Sequence, residues 1–318
     1  MEYLTLGRTG LNVSVAGLGC GGASRLGQGY GESHAHSVGI VKAAMDLGIN
    51  FIDTAAVYGT EPIVGEAVAG RREDIVISTK LPIVPPGASA LGQDLISGED
   101  LAVSLEKSLT RLGSDYVDIL HLHGVVPAQY EYCLRELVPV LQRFRDQGKI
   151  RFLGLTERFI YDPQHAMLNR ALEDDVWDVV MTGFNLINQS ARQRVFIPAG
   201  EKSVGALIMF AVRRALSNPE ALQAMLGELV NEGLVDPNAF AADDPLGFLR
   251  TLGGAETVVD GAYRFCRHEA RTGVVLTGTG SADHLRENVA SITSPALAPD
   301  CVIRLEQLFG AIDSVSCN

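Results

Sequence analysis

Strand-like and helix-like runs alternate along almost the whole chain, and this alternation limits the fold more than any other feature of the sequence. Stretches with helical periodicity separate short apolar runs typical of buried strands. Each unit is long enough for a right-handed crossover between parallel strands. Such an alternation predicts an α/β protein with a parallel sheet. The eight apolar runs lie at residues 15–20, 49–54, 74–81, 116–122, 151–156, 176–182, 203–210 and 273–277.

Two parallel architectures fit this alternation, a closed (β/α)8 TIM barrel and an open doubly wound sheet. An open dinucleotide-binding sheet would place GxGxxG between the first strand and a helix. Here Gly17-Leu18-Gly19-Cys20-Gly21-Gly22 leads into the irregular segment ASRLGQGYG, which has no helix start. The eight units therefore favour the barrel, and 318 residues suit a barrel of about 250 residues with insertions.

Two segments lie outside the repeating pattern. Residues 2–14 alternate around Arg8-Thr9-Gly10, which predicts an N-terminal β-hairpin. Residues 213–256 form a long, proline-interrupted amphipathic insertion after strand seven, for which we predict short helices. Loops at this position carry specificity, lids or partner contacts, although an ordinary packed embellishment fits the sequence equally well. We expect one barrel domain over residues 1–318.

Composition excludes several classes of protein. A net charge of −12 argues against a general nucleic-acid or anionic-membrane partner. The five cysteines are scattered without a CxxC pair, which favours free thiols in a reducing compartment over disulfides or a zinc site. Neither a signal peptide nor an apolar stretch of about 20 residues is visible. We therefore expect a cytoplasmic protein.

Polar side chains end two neighbouring strand-like runs, where a parallel α/β protein places its ligand site. Asp53 and Tyr58 follow the second run, and Lys80 ends the third. Each has an ordinary explanation alone, as a turn cap, an amphipathic rim residue or a lysine reaching solvent. However, a buried ammonium needs a carboxylate partner, and Asp53 on the neighbouring strand provides one.

The fourth run contributes two histidines, His121 and His123, which face the same side because they lie two residues apart. Two histidines with a carboxylate would also fit a metal site. The nearby ammonium of Lys80 would repel a cation, and no third neutral ligand is evident. We therefore expect no metal.

Tyr58, Lys80 and a histidine together indicate proton transfer through a phenol. A free tyrosine has a pKa near 10 and is a poor acid–base group at pH 7. A neighbouring ammonium is expected to lower that pKa, while a histidine hydrogen-bonds the reacting oxygen. Carbonyl reduction also needs a hydride donor, which no side chain supplies, so we expect a nicotinamide cofactor.

The motifs FIDTAAVYG, ISTK and DYVDILHLHG together resemble those of the aldo-keto reductase family, and the eight-unit layout is similar to its barrel over nearly the whole chain. The resemblance implies that Asp53, Tyr58, Lys80 and His123 form the catalytic tetrad. It places His121 at a variable position that faces the substrate.

The same resemblance implies where the cofactor binds. The segment from Thr277 to Val289 is similar to the family's dinucleotide-binding segment, and Thr156 after strand five matches a position that contacts the nicotinamide carboxamide. The next position, often Asn in the family, is Glu157 here. Phe210 lies near the position of an aromatic residue that stacks on the nicotinamide. The expected cofactor-binding residues are Thr156, Gly278, Thr279, His284, Glu287 and Asn288.

The preference between NAD and NADP is not fixed by these residues. NADP-preferring members often place Lys and Arg around the 2′-phosphate, whereas this chain has Gly278 and His284 there. Arg286 is an alternative cation for the 2′-phosphate. The sequence therefore favours NAD, or use of both cofactors.

Within the family, the chain most resembles sugar dehydrogenases that oxidise L-galactose or D-threo-aldoses at the anomeric carbon. The resemblance implies an NAD(P)-dependent enzyme acting on a small carbonyl or sugar substrate. An NADPH-dependent aldehyde or ketone reductase is the alternative within the same class. A nucleotide-binding regulatory subunit with little turnover, as in potassium-channel β-subunits, is the alternative from another class, with the 213–256 insertion as its docking surface. The sequence indicates no oligomeric state.

Overall fold

The computed structural model describes residues 1–241 and 243–318. Eight parallel strands, β3 to β10, close into a barrel in sequence order, with β10 paired to β3. This confirms the predicted (β/α)8 TIM barrel. The strands are β1 Tyr3–Thr5, β2 Asn12–Ser14, β3 Ala16–Gly19, β4 Phe51–Asp53, β5 Val76–Pro82, β6 Val117–Val125, β7 Ile150–Glu157, β8 Val179–Gly183, β9 Gly205–Met209 and β10 Val274–Thr277.

Helices cover the outside of the barrel and follow the predicted alternation. The predicted helix over residues 134–147 forms part of a longer segment, because a π-helical turn, Cys133–Leu137, joins two α-helices. The helices are α1 His34–Asp46, α2 Glu61–Val68, α3 Gly98–Leu112, α4 Pro127–Tyr132, α5 Val138–Asp146, α6 Ala166–Ala171, α7 Ile197–Glu201, α8 Arg214–Ser217, α9 Pro219–Asn231, α10 Phe248–Thr251, α11 Val258–Arg267, α12 Ala282–Thr293 and α13 Pro299–Phe309.

The N-terminal hairpin closes one end of the barrel. Strands β1 and β2 pair antiparallel, as predicted, with Leu4 opposite Val13. The buried side chains of Leu6, Leu11 and Val13 pack against residues near the amino ends of the barrel strands, such as Phe51. Because this end is filled by apolar side chains, a ligand site has to lie at the opposite end, where the strands finish.

The predicted insertion after strand seven contains helices α8, α9 and α10. Helix α9 places the apolar side chains of Leu222, Met225, Leu226 and Leu229 against the main core. Ala242, which falls in this insertion, lies outside the described residues.

Close packing between α2 and α3 yields a stability prediction. A Cβ atom at Gly65 would overlap the backbone of Leu112, which cannot move as a flexible side chain would. We expect Gly65→Ala to destabilise the protein by about 1–3 kcal/mol through overpacking. Gly227→Ala in α9 is the matched control, because a Cβ atom at Gly227 would meet nothing within 4 Å. That change should stabilise the helix by up to about 1 kcal/mol.

Urea denaturation of the two variants beside the wild type measures both effects. If Gly65→Ala were as stable as Gly227→Ala, the close approach of the two helices would be wrong.

The remaining expectations from composition concern thiols and membranes. All five cysteines are free thiols, as predicted, and all five are buried. Within residues 1–241 and 243–318, none of the helices combines the length and apolar character needed to cross a bilayer.

Candidate active site

The polar residues predicted from three strands meet at the carboxyl end of the barrel. Strands β4, β5 and β6 are neighbours, and their register places Asp53 beside Ser78 and Lys80 beside His121. Because side chains alternate along a strand, Ser78 and Lys80 on β5 point to the same side, as do His121 and His123 on β6. The sequence prediction that these strand ends converge agrees with the register.

Asp53 and Lys80 form a buried ion pair, as expected from the sequence. Lys80 Nζ lies 2.5 Å from Asp53 Oδ2 and also donates to the carbonyl oxygen of Thr54 at 2.8 Å. Ser78 Oγ donates to the other carboxylate oxygen of Asp53 at 2.8 Å. Burial lowers the pKa of the Lys80 ammonium, but Asp53 and Tyr58 more than offset burial, so that its pKa lies above its ordinary value. Lys80 therefore carries a positive charge at neutral pH.

Tyr58 lies beside this pair with its hydroxyl directed at His123. It ends the 3₁₀ turn Ala56–Tyr58 that follows β4, and its side chain is partly exposed. The hydroxyl oxygen is 3.4 Å from His123 Nε2, and the two rings meet edge to face with centroids 5.5 Å apart. Lys80 Nζ is 5.1 Å from the centroid of the Tyr58 ring. A phenol, an ammonium and an imidazole thus border one small volume that is open to solvent.

A glycine on the loop after β3 makes room for this tyrosine. A Cβ atom at Gly21 would lie 2.6 Å from Cε2 of the Tyr58 ring. Any larger residue would push the phenol away from His123. By sequence Gly21 is only part of an incomplete fingerprint, so its packing role emerges from the structure.

The expected lowering of the Tyr58 pKa by the neighbouring ammonium was wrong in its net direction. Burial raises the pKa of the Tyr58 phenol and outweighs the effect of Lys80, which does lower it. Burial, Lys80 and Arg158 lower the pKa of His123 to about 3. At neutral pH Tyr58 is therefore a protonated phenol and His123 a neutral imidazole, which suits proton donation to a substrate oxygen.

His121 does not face the substrate volume, which corrects the expectation drawn from its variable position. Its side chain is fully buried, with 0% exposure, one layer below His123 in the barrel. Nε2 lies 3.0 Å from Ser78 Oγ, and the ring packs closely on Gly154. Burial and then Lys80 lower the pKa of His121 well below its ordinary value. His121 is therefore a neutral support for Ser78 and, through it, for Asp53.

The residues expected to bind the dinucleotide mostly lie together at the turn between β10 and α12. Gly278 and Thr279 form the turn, while His284 and Glu287 are exposed on the first two turns of α12. Asn288 donates from Nδ2 to Thr277 Oγ1 at 2.9 Å. Ser281 caps the helix by accepting from the amide of His284. This set of a helix N-terminus and nearby polar side chains fits the phosphate and adenine portions of a dinucleotide.

Arg286, the substitute cation for a 2′-phosphate, is already paired. Its Nη1 lies 2.5 Å from Asp283 Oδ1 on the same exposed face of α12. Asp283 also adds a negative charge in the first turn of α12.

The side chains of Thr156 and Glu157 on β7 are buried and hydrogen-bonded within the protein. The Thr156 hydroxyl accepts from the amide of Gly124 at 2.7 Å. Glu157 is buried and lies 2.9 Å from His165 Nδ1, while Thr182 Oγ1 and the amide of Gly183 each donate to it at 2.8 Å. The carboxylate is therefore held inside the barrel wall.

The buried cluster around Glu157 was not predicted from the sequence. His165 adopts a left-handed backbone conformation and stacks on Phe159, with ring centroids 5.2 Å apart. A signal for it existed, because a glutamate at the end of a buried strand requires partners. Its partners come from distant segments, and only the folded chain identifies them.

The described part of the chain offers no ready metal site. Within residues 1–241 and 243–318, no group of three or more His, Cys, Asp or Glu side chains is arranged to hold a metal ion. The two histidines of β6 therefore lack, among these residues, the additional ligands that a metal site requires.

Comparisons with known proteins relate most of the chain to one family. A family model described as the aldo/keto reductase family matches residues 18–308. L-galactose dehydrogenase from Arabidopsis thaliana is 38% identical over 163 residues, which cover 49% of this chain and about half, 48%, of that protein. The uncharacterized oxidoreductase YqkF from Bacillus subtilis is 23% identical over 96% of each chain. The holo form of aldo-keto reductase AKR11C1 from Bacillus halodurans superposes with a TM-score of 0.73 at 21% identity, covering 98% of this chain and 97% of that chain.

Proposed function

The chain belongs to the aldo-keto reductase family of NAD(P)-dependent oxidoreductases, and from this premise we propose that it interconverts a carbonyl and an alcohol with Tyr58 as the acid–base group. One observation carries the assignment: the hydroxyl of Tyr58, a partly exposed residue, lies 3.4 Å from His123 Nε2, beside the Asp53–Lys80 pair. A phenol in this setting has both a neighbouring cation and access to a ligand.

Each of the four residues has a distinct task in the proposed reaction. In the reducing direction Tyr58 gives its proton to the carbonyl oxygen, and the fixed charge of Lys80 stabilises the phenolate left behind. Asp53 holds Lys80 in place. Neutral His123 orients the carbonyl oxygen by a hydrogen bond. In the oxidising direction the phenolate of Tyr58 removes the alcohol proton.

The cofactor contributes the hydride, which a bound nicotinamide donates or accepts. We propose that Gly278, Thr279, His284, Glu287 and Asn288 hold the phosphate and adenine end at α12. The Asp283–Arg286 pair supports a preference for NAD, since the Asp283 carboxylate places a negative charge beside the arginine that would meet a 2′-phosphate. Glu157 is committed to His165, so the carboxamide contact expected after strand five needs another partner, with Thr156 the remaining candidate.

Sugars oxidised at the anomeric carbon are the first substrate class to test. The support is the 38% identity to the plant L-galactose dehydrogenase, which is confined to about half of each chain. A panel of L-galactose, other aldoses, aromatic aldehydes and aliphatic ketones, each with NAD(H) and NADP(H), tests the proposal. Turnover of at least one compound that disappears in Tyr58→Phe supports it. Tight nucleotide binding without turnover of any compound would instead favour the regulatory alternative.

The raised pKa of Tyr58 predicts different pH profiles for reduction and oxidation. Reduction requires protonated Tyr58, whose raised pKa keeps it protonated, so kcat/KM should stay flat between about pH 6 and 9. Oxidation requires the phenolate, whose fraction increases as pH rises, so kcat/KM should climb by up to about tenfold per pH unit over that range. Steady-state assays in a constant-ionic-strength buffer measure both.

Titration of His123 should cause no inflection in either pH profile, because its pKa of about 3 lies far below the assayed range. An inflection near pH 6–7 that vanishes in His123→Gln would contradict the neutral imidazole proposed here.

A further inference from the structure

Two arginines at the mouth of the barrel flank Tyr58 and His123, and neither has a carboxylate partner in the described part of the chain. Arg158 follows β7 and Arg213 follows β9, and both side chains are only partly exposed. Neither has an Asp or Glu oxygen within 4.0 Å in the described part of the chain, whereas most arginines of this chain are ion-paired. The chain has 38 acidic and 26 basic residues, so carboxylates are not scarce.

Arg213 is held close to Tyr58 by its surroundings. The centre of its guanidinium lies 4.2 Å from the centroid of the Phe210 ring, which is a cation–π contact. Its Nη1 is 3.7 Å from the position of a Cβ atom at Gly22, next to the glycine that abuts the Tyr58 ring. Nε and Nη2 donate to the amide oxygen of Asn318, a neutral acceptor on an exposed residue. Burial lowers the pKa of Arg213, and the arginine is near enough to Tyr58 for their charges to interact.

Arg158 lies on the other side of Tyr58 and His123 from Arg213, beside His123. Its Nε donates to the carbonyl oxygen of Gly124 at 3.3 Å, and Gly124 directly follows His123. Its charge is one of the causes that lower the pKa of His123. The two guanidiniums therefore border the same volume as the Tyr58 hydroxyl from β7 and β9.

Keeping a partly buried guanidinium without an anion is unfavourable unless a ligand supplies the anion. Arginine presents a planar set of donors that matches the two oxygens of a carboxylate or phosphate. We propose that Arg158 and Arg213 bind an anionic group, carboxylate or phosphate, carried by the carbonyl or alcohol substrate. This rests on the proposed function, since it assigns the substrate class of the same site.

A substrate pair that differs only in charge provides the test. 4-Carboxybenzaldehyde and its methyl ester share the same ring and aldehyde, but only the first is an anion at pH 7, while the ester group makes its aldehyde the more electrophilic of the two. We expect wild-type kcat/KM to favour the acid by about tenfold or more, the size of one or two charge-assisted hydrogen bonds.

Variants of the two arginines test whether they cause the preference for the acid over the ester. Arg213→Gln and Arg158→Gln should each lower kcat/KM for the acid by about 10–100-fold while lowering that for the ester by less than about threefold. Arg214→Gln is the matched control, because Arg214 is the adjacent arginine, is exposed and has no ion pair in the described residues. It should leave both values unchanged.

Two results would overturn the substrate assignment. One is equal wild-type kcat/KM for acid and ester. The other is an equal loss for both substrates in Arg213→Gln, together with weaker binding of NADH and NADPH, because the anion would then be the cofactor diphosphate.

A binding measurement separates this proposal from the assignment of Tyr58. Calorimetric titration of the Tyr58→Phe protein, saturated with NADP⁺ or NAD⁺, compares the acid with the ester without turnover. Preferential binding of the acid, lost in the Tyr58→Phe, Arg213→Gln double variant, supports the anion site even if Tyr58 has no catalytic role. Equal binding of acid and ester refutes the anion site whatever Tyr58 does.

Discussion

Tyr58→Phe should lower kcat for carbonyl reduction by about 10²–10⁴-fold, the usual contribution of a positioned general acid. The change removes one oxygen atom and keeps the ring that packs on Gly21. The Asp53–Lys80 pair stays intact, so the fold and the cofactor site should be preserved. Stopped-flow measurement of NADH or NADPH oxidation with the best substrate from the panel gives the effect directly.

Tyr161→Phe is the control for this variant. Tyr161 is 60% exposed and makes no side-chain hydrogen bond within residues 1–241 and 243–318, so its loss of a hydroxyl should change kcat by less than a factor of about two. The dissociation constants of the nicotinamide cofactors, from fluorescence titration, should be equal in both variants. Similar kcat values for Tyr58→Phe and Tyr161→Phe would refute Tyr58 as the acid.

Lys80→Met should give the largest loss of stability among single changes at the site, about 3–5 kcal/mol, together with loss of turnover. The ammonium is 1% exposed and is the ion-pair partner of Asp53 in the described residues. Removing it leaves a buried carboxylate with only Ser78 as a side-chain donor. A methionine fills similar volume, so the loss reports the charge more than a cavity.

The sign of the pH dependence follows from the raised pKa of Lys80 in the folded protein. Such a group contributes its full stabilisation below its pKa in the unfolded chain, and the contribution falls as pH rises through the folded pKa. The stabilisation of the wild type by the Lys80 ammonium should therefore be constant near neutral pH and shrink only in strong alkali. Lys80→Met should in addition lose stability as pH rises, because burial raises the pKa of the Asp53 carboxyl, which the variant leaves without its ammonium.

A double variant distinguishes the energy of the Asp53–Lys80 ion pair from the effects of changing each residue alone. Asp53→Asn combined with Lys80→Met removes both charges, so it should be more stable than Lys80→Met alone by urea denaturation at pH 7. If the loss of stability in the double variant equalled the sum of the losses in Asp53→Asn and Lys80→Met, the two residues would not be coupled. That result would contradict the buried ion pair.

The barrel and the convergence of Asp53, Tyr58, Lys80 and the two histidines of β6 were predictable because both depend on local pattern. The choice of His123 as the catalytic histidine came from the family resemblance. Eight apolar runs separated by helices leave few topologies, and a parallel barrel brings successive strand ends together. The spacing of two residues on a strand also places Ser78 beneath Lys80, although the role of Ser78 was not predicted. Lys80 needed a partner, and Asp53 was the nearest carboxylate on the adjacent strand.

The features of the site that were not predicted depend on competing electrostatic effects or on contacts between distant segments, which no local sequence pattern contains. The net direction of the Tyr58 pKa is a competition between burial and Lys80, and its outcome depends on how deeply the phenol is packed. The depth of His121 depends on where β6 sits in the barrel. Arg158 and Arg213 are ordinary surface residues by sequence, and only the folded chain shows that, among the described residues, no carboxylate reaches them.

A single-turnover measurement in H₂O and D₂O tests the central claim most directly. With cofactor and substrate bound, wild type should consume the reduced nicotinamide more slowly in D₂O, because the proton given by Tyr58 moves with the hydride. Tyr58→Phe should be slower by about 10²–10⁴-fold. If instead Tyr58→Phe reacted at the wild-type rate with the same solvent isotope effect, another group would be the proton donor.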